Sequence, residues 1–156
     1  MNEGLSVRQL RVQDAGACDA IMRTLPDFFG YEPGLAQCAE DVRSQEGLVA
    51  EAGGRVIGFA VWTPRTQETA EVTWMAVEAG ARHKGVGTAV IERLVSEIRD
   101  RGFKLALAMT SAGPKEAGVE DTYVPTRAFW KARGFEPLIE LDIWETDRAL
   151  LQVRPL

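Results

Sequence analysis

The stretch that decides the fold runs from Glu71 to Gly102 and reads EVTWMAVEAGARHKGVGTAVIERLVSEIRDRG. Its beginning alternates as a β-strand does, and the alternation predicts that Val72, Trp74 and Ala76 share one face of that strand. A glycine-containing turn follows. The remainder has apolar residues at spacings of three and four, which predict an amphipathic helix that ends at Gly102. These apolar positions are Val86, Ala89, Val90, Leu94, Val95 and Ile98.

The turn between strand and helix, Arg82-His83-Lys84-Gly85-Val86-Gly87, is suited to holding an anion. The first N–H groups of a helix have no partner within it, and the helix dipole adds positive potential there. Gly85 and Gly87 lack the Cβ atoms that would keep a phosphate away from these amides, and Arg82 and Lys84 add charge. The pattern is neither a P-loop nor a dinucleotide-binding fingerprint. A flexible turn with solvated basic residues is the alternative interpretation.

These residues resemble those of the GNAT N-acetyltransferases. The segment from Arg82 to Thr88 looks like their acyl-CoA pyrophosphate loop, Arg/Gln-x-x-Gly-x-Gly/Ala. Trp74 to Val77 is similar to the fourth strand of that family, and Thr126 to Phe135 to a later helix and the Gly-Phe that follows it. The resemblance covers most of the chain from Ser6 onward. It implies that the fourth and fifth strands splay apart and that the pantetheine arm of acetyl-CoA lies in the gap.

The resemblance also implies a set of residues that bind acetyl-CoA as the acyl donor. Backbone groups of Met75 and Val77 would contact the pantetheine amides as an added strand does, and the amides from His83 to Thr88 would hold the pyrophosphate. A backbone N–H beside the thioester would stabilise the developing oxyanion. The implied cofactor-binding residues are Met75, Ala76, Val77, Arg82, His83, Lys84, Gly85, Val86, Gly87, Thr88 and Trp130.

Two side chains are candidates for the proton transfers. Glu71 resembles the strand-four glutamate that acts as base in the histone-acetyltransferase branch, and an amine with a pKa of about 10.4 needs such a base at neutral pH. The alternative is that Glu71 begins an exposed strand or pairs with a cation. The family often has a tyrosine where this chain has Trp130, and an indole is no useful proton donor. Tyr123 is the candidate to replace it, with a structural role as the alternative.

The family resemblance implies an acceptor site at the segment between the first two helices. Phe28, Phe29 and Tyr31 are the predicted substrate-binding residues, because aromatic side chains can wall a pocket for an amine. Trp62 can contribute to the same wall, and closing the core is the alternative role for all four. One of three acidic residues is expected to attract the ammonium group, namely Glu32, Glu40 or Asp41.

Composition restricts the remaining possibilities. One chain of 156 residues predicts a single domain over positions 1–156, and a net charge of −5 argues against a nucleic-acid binder. Two cysteines and one histidine give neither a disulfide framework nor metal-ligand spacing, so no metal is expected and the thiols should be buried and reduced. The sequence has no recognisable signal segment or apolar run long enough for a membrane span, so we expect a cytoplasmic protein.

The other segments complete a prediction of one α/β domain, a mixed twisted sheet flanked by helices. Asp14 is expected to cap the first helix, and Ala17, Ala20, Ile21 and Met22 to form its buried stripe. The predicted helices are Ala15–Leu25, Leu35–Ser44 and Pro125–Ala132, and the predicted further strands are Leu5–Leu10, Leu48–Glu51, Val56–Trp62, Lys104–Met109, Leu138–Trp144 and Ala149–Val153, with a loop over Thr110–Asp121.

Three functional hypotheses follow. The leading one is an N-acetyltransferase that moves an acetyl group from acetyl-CoA to a primary amine of a small molecule or peptide, by direct attack in a ternary complex. The second is a sensor of the same fold that binds acyl-CoA without turnover, as Trp130 at the tyrosine position would allow. The third is an unrelated nucleotide-phosphate binder. Many relatives dimerise, so a homodimer is possible.

Overall fold

The computed structural model describes residues 4–25 and 32–156, and its strands within these ranges form one sheet. The strand order is β1-β2-β3-β4-β5-β7-β6, in which β4 and β5 are parallel and all other neighbours are antiparallel. The strands are β1 Ser6–Gln9, β2 Glu46–Ala52, β3 Arg55–Pro64, β4 Thr69–Val77, β5 Leu105–Pro114, β6 Glu136–Leu141 and β7 Asp147–Pro155. The helices are α1 Ala15–Arg23, α2 Glu32–Ser44, α3 Val86–Asp100 and α4 Val124–Ala132. The predicted α/β fold with a mixed sheet is therefore confirmed.

The central parallel pair separates soon after it forms. Pairing between β4 and β5 begins at Thr69 with Leu105 and ends at Val72 with Ala108. Beyond that point β4 stays paired with β3, and β5 stays paired with β7. The predicted splay of the fourth and fifth strands is thus confirmed, and it leaves one side of each strand without a neighbouring strand.

A β-bulge in β4 changes which side chains share a face. Val61 of β3 pairs with Trp74 and Trp62 pairs with Val72, so Thr73 is an extra residue in β4. Val72 packs in the core beneath α3, whereas Trp74 and Ala76 pack in the core beneath α1 and α2. The prediction that these three side chains share one face was therefore wrong, since simple alternation cannot include an unpaired residue.

Helices cover both faces of the sheet. On one face α3 buries the stripe Val90, Ile91, Leu94, Val95 and Ile98, each at most 1% exposed. On the other face α1 packs against α2, where Cys18 and Cys38 are buried as expected. Among the described helices, none has the length and apolarity needed to cross a bilayer.

The start of α1 differs from the prediction. Asp14 does not cap this helix with its side chain; its carboxylate accepts hydrogen bonds from Arg8 Nη1 at 2.8 Å and from the Arg11 N–H at 2.8 Å. The Arg8 guanidinium holds the pKa of Asp14 below its usual value. The predicted stripe is confirmed at Ile21 and Met22, but Ala20 is exposed.

Several predicted boundaries shift for reasons that lie outside the local sequence. The strand predicted to end at Met109 continues to Pro114, because it pairs with β7 over its whole length. The loop predicted over Thr110–Asp121 was therefore wrong for its first five residues. The last hairpin is confirmed, although its first strand ends at Leu141 instead of Trp144.

The close pairing of β2 with β3 predicts a stability difference between two glycine-to-alanine variants. A Cβ at Gly47 would lie 2.3 Å from the Ala60 carbonyl oxygen and 2.8 Å from Val61 Cγ1, whereas a Cβ at Gly16 in α1 would meet no atom within 4 Å. We expect Gly47→Ala to lower the free energy of unfolding by about 2 kcal/mol or more, and Gly16→Ala to raise it by about 0.5 kcal/mol. Urea unfolding of both variants measures this. Equal effects would contradict the register of β2 against β3.

Candidate active site

The turn before α3 has the backbone geometry of an anion site. The first bond of the helical ladder runs from Ala89 N to Gly85 O at 3.0 Å, so the N–H groups of residues 86–88 precede the ladder. His83 and Gly85 both have positive φ, 63° and 80°. A left-handed conformation is unusual for a non-glycine residue and is a strain often found at functional loops. The N–H groups of residues 86–88 are therefore free of the helical ladder and follow directly on this unusual turn.

Close packing also requires a glycine at position 87, independently of its predicted place in the anion site. A Cβ at this position would lie 3.2 Å from Met75 Cε and 3.3 Å from Phe129 Cε2. The glycine thus lets β4, α3 and α4 meet closely at the point where the helix begins. This packing could not be predicted from the sequence, because Met75 and Phe129 are distant from Gly87 in the chain.

Backbone groups of β4 face the gap between β4 and β5. The N–H of Glu78 donates to Ile57 O of β3 at 2.8 Å, so alternate residues of this part of β4 point their N–H and C=O groups towards β3. The intervening residues, Met75 and Val77, consequently point theirs towards the gap. These are the two residues whose main chain the family resemblance implied in donor binding.

A cleft lies in front of this helix start and gap, and we call it the α3 cleft. Every predicted cofactor-binding residue lines it except Lys84, which is exposed on the turn. The lining residues are Leu25, Met75, Ala76, Val77, Ala81, Arg82, His83, Gly85, Val86, Gly87, Thr88, Tyr123, Pro125, Thr126, Phe129 and Trp130.

Glu71 lines a second cleft, which we call the Glu71 cleft. The Glu71 carboxylate is largely buried and pairs with Arg65, whose Nη2 lies 2.6 Å and Nε 3.1 Å from its Oε2. Pairing with a cation, which was the alternative to a role as base, is therefore present at Glu71. The cleft is lined by Gly34, Asp41, Arg65, Glu71, Val72, Thr73, Trp74, Met75, Met109, Thr110, Tyr123, Thr126, Trp130 and Trp144.

The two clefts meet at the gap. Four residues line both of them, namely Met75 of β4, Tyr123 and Thr126 at the start of α4, and Trp130 in its last turn. The two clefts therefore adjoin one another at these four residues.

Tyr123 is held firmly between these clefts. Its N–H donates to Asp121 Oδ1 at 3.0 Å, and Asp121 pairs with Arg127, whose Nη1 also donates to the Ser111 carbonyl of β5 at 2.8 Å. Burial raises the pKa of the Tyr123 phenol, and the nearby charge of Asp147 raises it further. The hydroxyl consequently stays protonated throughout the neutral range.

The remaining predicted residues have different positions. Trp130 is 7% exposed and packs edge-to-face against Phe129 and Phe135, so it combines a core role with a place in both clefts. Trp62 was expected in the acceptor wall, but it is buried in the core under α3, in contact with Phe103. Phe28, Phe29 and Tyr31 lie outside the described residues.

Of the acidic residues expected near the acceptor, Asp41 lines the Glu71 cleft and Glu40 is exposed outside it. Sequence reasoning missed Arg65, Phe129 and Trp144, because no spacing signal connects them with the turn. Within residues 4–25 and 32–156 no three histidine, cysteine or acidic side chains form a metal-binding group.

The comparison with protein families identifies this arrangement. The model of the Acetyltransferase (GNAT) family matches residues 17–135, which is most of the chain. The chain belongs to the GNAT family of acetyltransferases. This membership confirms the resemblance seen in the sequence. The protein is therefore an acetyltransferase of a family whose acyl donor is acetyl-CoA. The family match decides against an unrelated nucleotide-binding protein.

Solved structures share the whole fold with this GNAT chain. A GNAT-family protein of Desulfovibrio desulfuricans superposes with a TM-score of 0.83 at 23% identity, covering 97% of this chain and 98% of that one. The ribosomal-protein-S18-alanine N-acetyltransferase of Escherichia coli gives 0.78 at 17% identity, covering 97% and 93%. A GNAT acetyltransferase of Elizabethkingia anophelis with acetyl-CoA bound gives 0.74 at 14% identity, covering 99% of each chain. These likenesses show a common fold.

The environment of Tyr123 predicts an optical titration. The chain has two tyrosines, so the absorbance at 295 nm of the wild type minus that of Tyr123→Phe reports Tyr123 alone. We expect a midpoint above the usual value of about 10, and a lower midpoint in Asp147→Asn, because that variant removes the nearby negative charge. The raised pKa also stabilises the folded protein below the pKa of an unfolded tyrosine, and this stabilisation should be lost as the pH rises from that value through the pKa of the folded state. A midpoint at or below 10 would contradict the burial of the phenol.

Proposed function

We propose that this protein transfers an acetyl group from acetyl-CoA to a primary amine, by direct attack while both substrates are bound. The observation that carries the proposal is the meeting of the α3 cleft and the Glu71 cleft at the gap between β4 and β5. Such a gap lets an amine from one side approach a thioester held on the other side. Holding both reactants in one geometry is itself a large part of catalysis.

The residues of the α3 cleft fit the donor. The turn and the first amides of α3 would hold the pyrophosphate, with Arg82 beside them. The main chain of Met75 and Val77 would bind the pantetheine amides in place of the absent strand. Acetyl-CoA supplies the acetyl group as an activated thioester, and a β4 amide facing the gap would donate to its carbonyl oxygen.

Glu71 is the proposed base. It lines the Glu71 cleft and not the α3 cleft. An incoming ammonium group would pass through the Glu71 cleft. An ionised carboxylate at that place can accept the proton directly or through one water. Arg65 holds the carboxylate through Oε2, so Oε1 is the oxygen better placed for the proton.

Tyr123 is proposed to assist the departing sulfur. A thiolate with a pKa of about 8.5 can leave unprotonated at pH 7 at a cost of about 2 kcal/mol, so help is useful without being essential. The raised pKa of the Tyr123 phenol makes full proton transfer to such a thiolate unfavourable. Its hydroxyl therefore acts as a hydrogen-bond donor to the sulfur, and water supplies the proton afterwards.

The acceptor is proposed to be a cationic amine of a small molecule or peptide. Carboxylates and aromatic rings line the Glu71 cleft, and both favour an approaching ammonium group. This chain shares its fold with a ribosomal-protein-alanine acetyltransferase. The choice of acceptor is supported by the residues of the Glu71 cleft and not by that likeness.

A sensor that binds acyl-CoA without turnover is the second candidate. The observation that favours it is Trp130, which stands where the family often has a tyrosine and cannot supply a proton. Release of free thiol in the presence of a panel of primary amines separates the two. Tight acetyl-CoA binding with no amine-dependent thiol release would identify the sensor.

Replacing Glu71 tests the catalytic proposal. We expect Glu71→Gln to lower kcat/KM for the best primary alkylamine of the panel about 100-fold at pH 7, the scale of general base catalysis. The loss at pH 9 should be at least about tenfold smaller, because the neutral fraction of an amine with a pKa near 10.4 rises from about 0.04% to about 4%. Thiol release at both pH values measures this.

Glu68→Gln is the matched control, because Glu68 precedes the same strand, is exposed and pairs with Lys104 outside the cleft. Its kcat/KM should follow the wild type at both pH values. An equal loss at pH 7 and pH 9 in Glu71→Gln would remove Glu71 as the base.

A further inference from the structure

Asp41 carries a negative charge that the described part of the protein does not neutralise. Its Oδ2 accepts a hydrogen bond from Trp74 Nε1 at 2.7 Å, and its Oδ1 accepts one from Gln37 Nε2 at 3.1 Å. Both donors are uncharged. Among the ion pairs of residues 4–25 and 32–156, none includes Asp41. Each carboxylate oxygen can accept a further hydrogen bond, so the side chain can still bind a cationic donor.

The other charges of the Glu71 cleft cancel. Arg65 is the one cation among the described lining residues, and its guanidinium is paired with Glu71. Asp41 therefore gives the cleft a net negative charge at a position separate from the proposed base. A ligand with a second positive charge would compensate it, whereas a ligand carboxylate would be repelled.

Trp74 fixes where this charge lies relative to the reaction. Its main chain precedes Met75 at the gap, and its indole extends away from β4 to Asp41. A substrate that reaches from the gap to Asp41 thus runs beside the indole. Trp144 and Tyr123 line the same cleft, so an alkyl chain would have aromatic walls, and the aromatic faces attract cations.

We propose that the acceptor is a diamine, or an amine with a second cationic group a few carbons from the reacting nitrogen, and that Asp41 binds that second group. This inference rests on the proposed N-acetyl transfer and specifies its substrate class. Glu71 accepts the proton of the reacting amine, and Asp41 holds the distal ammonium. The distal charge then sets both affinity and orientation.

Three acceptors of equal length test the inference. Butylamine, 1,3-diaminopropane and 4-aminobutanoate share the reacting primary amine on a three-carbon linker and differ in a distal methyl, ammonium or carboxylate group. With acetyl-CoA as donor we expect the wild-type kcat/KM to be about tenfold higher or more for the diamine than for butylamine, and lowest for the amino acid. Diamines of four and five carbons then locate the preferred spacing.

Asp41→Asn keeps an acceptor for the Trp74 indole but removes the charge, so the ratio of kcat/KM for diamine over butylamine should fall to about one. Glu40→Gln makes the same charge change at the neighbouring, exposed position of α2 and should keep the wild-type ratio. Equal turnover of all three acceptors, or an unchanged ratio in Asp41→Asn, overturns the role of Asp41 while leaving N-acetyl transfer intact. If the protein binds acetyl-CoA but acetylates no amine, the role of Asp41 and the proposed N-acetyl transfer are both overturned.

Discussion

The early end of pairing between β4 and β5 is the constraint on which the site depends. The strands are joined only from Thr69 to Val72 on one side and from Leu105 to Ala108 on the other. Each continues with a different neighbour, so neither can close the gap without losing bonds on its outer edge. Backbone groups that face the gap must find partners, because unpaired buried N–H and C=O groups are costly. A substrate with amide groups is one such partner.

The other features follow from that gap. The helix α3 begins beyond the end of β4, so its first amides lie in the same cleft as the free side of the strand. The start of α4 stands opposite, where Asp121 and Arg127 tie it to the Ser111 carbonyl of β5. The bulge at Thr73 turns Trp74 towards α2 and so aligns it with Asp41. The break in pairing and the bulge together place the α3 cleft, the Glu71 carboxylate and the Asp41 carboxylate around one gap.

Local sequence predicted the parts that local physics determines. The apolar periodicity of α3, the glycine turn and the stop at Gly102 depend on residues within a few positions of one another, and the structure has a helix from Val86 to Asp100 with Gly102 at positive φ. The family motif added the splay, which no local pattern contains. The bulge at Thr73 could not be predicted in this way, because it arises from pairing with β3.

Contacts between distant segments account for the rest of what the sequence did not reveal. Asp41 and Trp74 meet across α2 and β4, and Arg65 reaches Glu71 across a hairpin. Trp62 appeared equally suitable for a pocket, yet its position on β3 puts it beneath α3. Residue type suggested which side chains could serve, and only the packing of the sheet decided which of them reach the clefts.

Amide hydrogen exchange in the presence of coenzyme A tests the central claim most directly. We predict that coenzyme A slows exchange at the amides of residues 86–88 and also at Met75 and Val77, whereas ADP slows it only at the start of α3. If both ligands slow exchange at the start of α3 and neither slows it in β4, the result would contradict a pantetheine site in the gap. Tight binding of coenzyme A with unchanged exchange in both segments would contradict the donor site altogether.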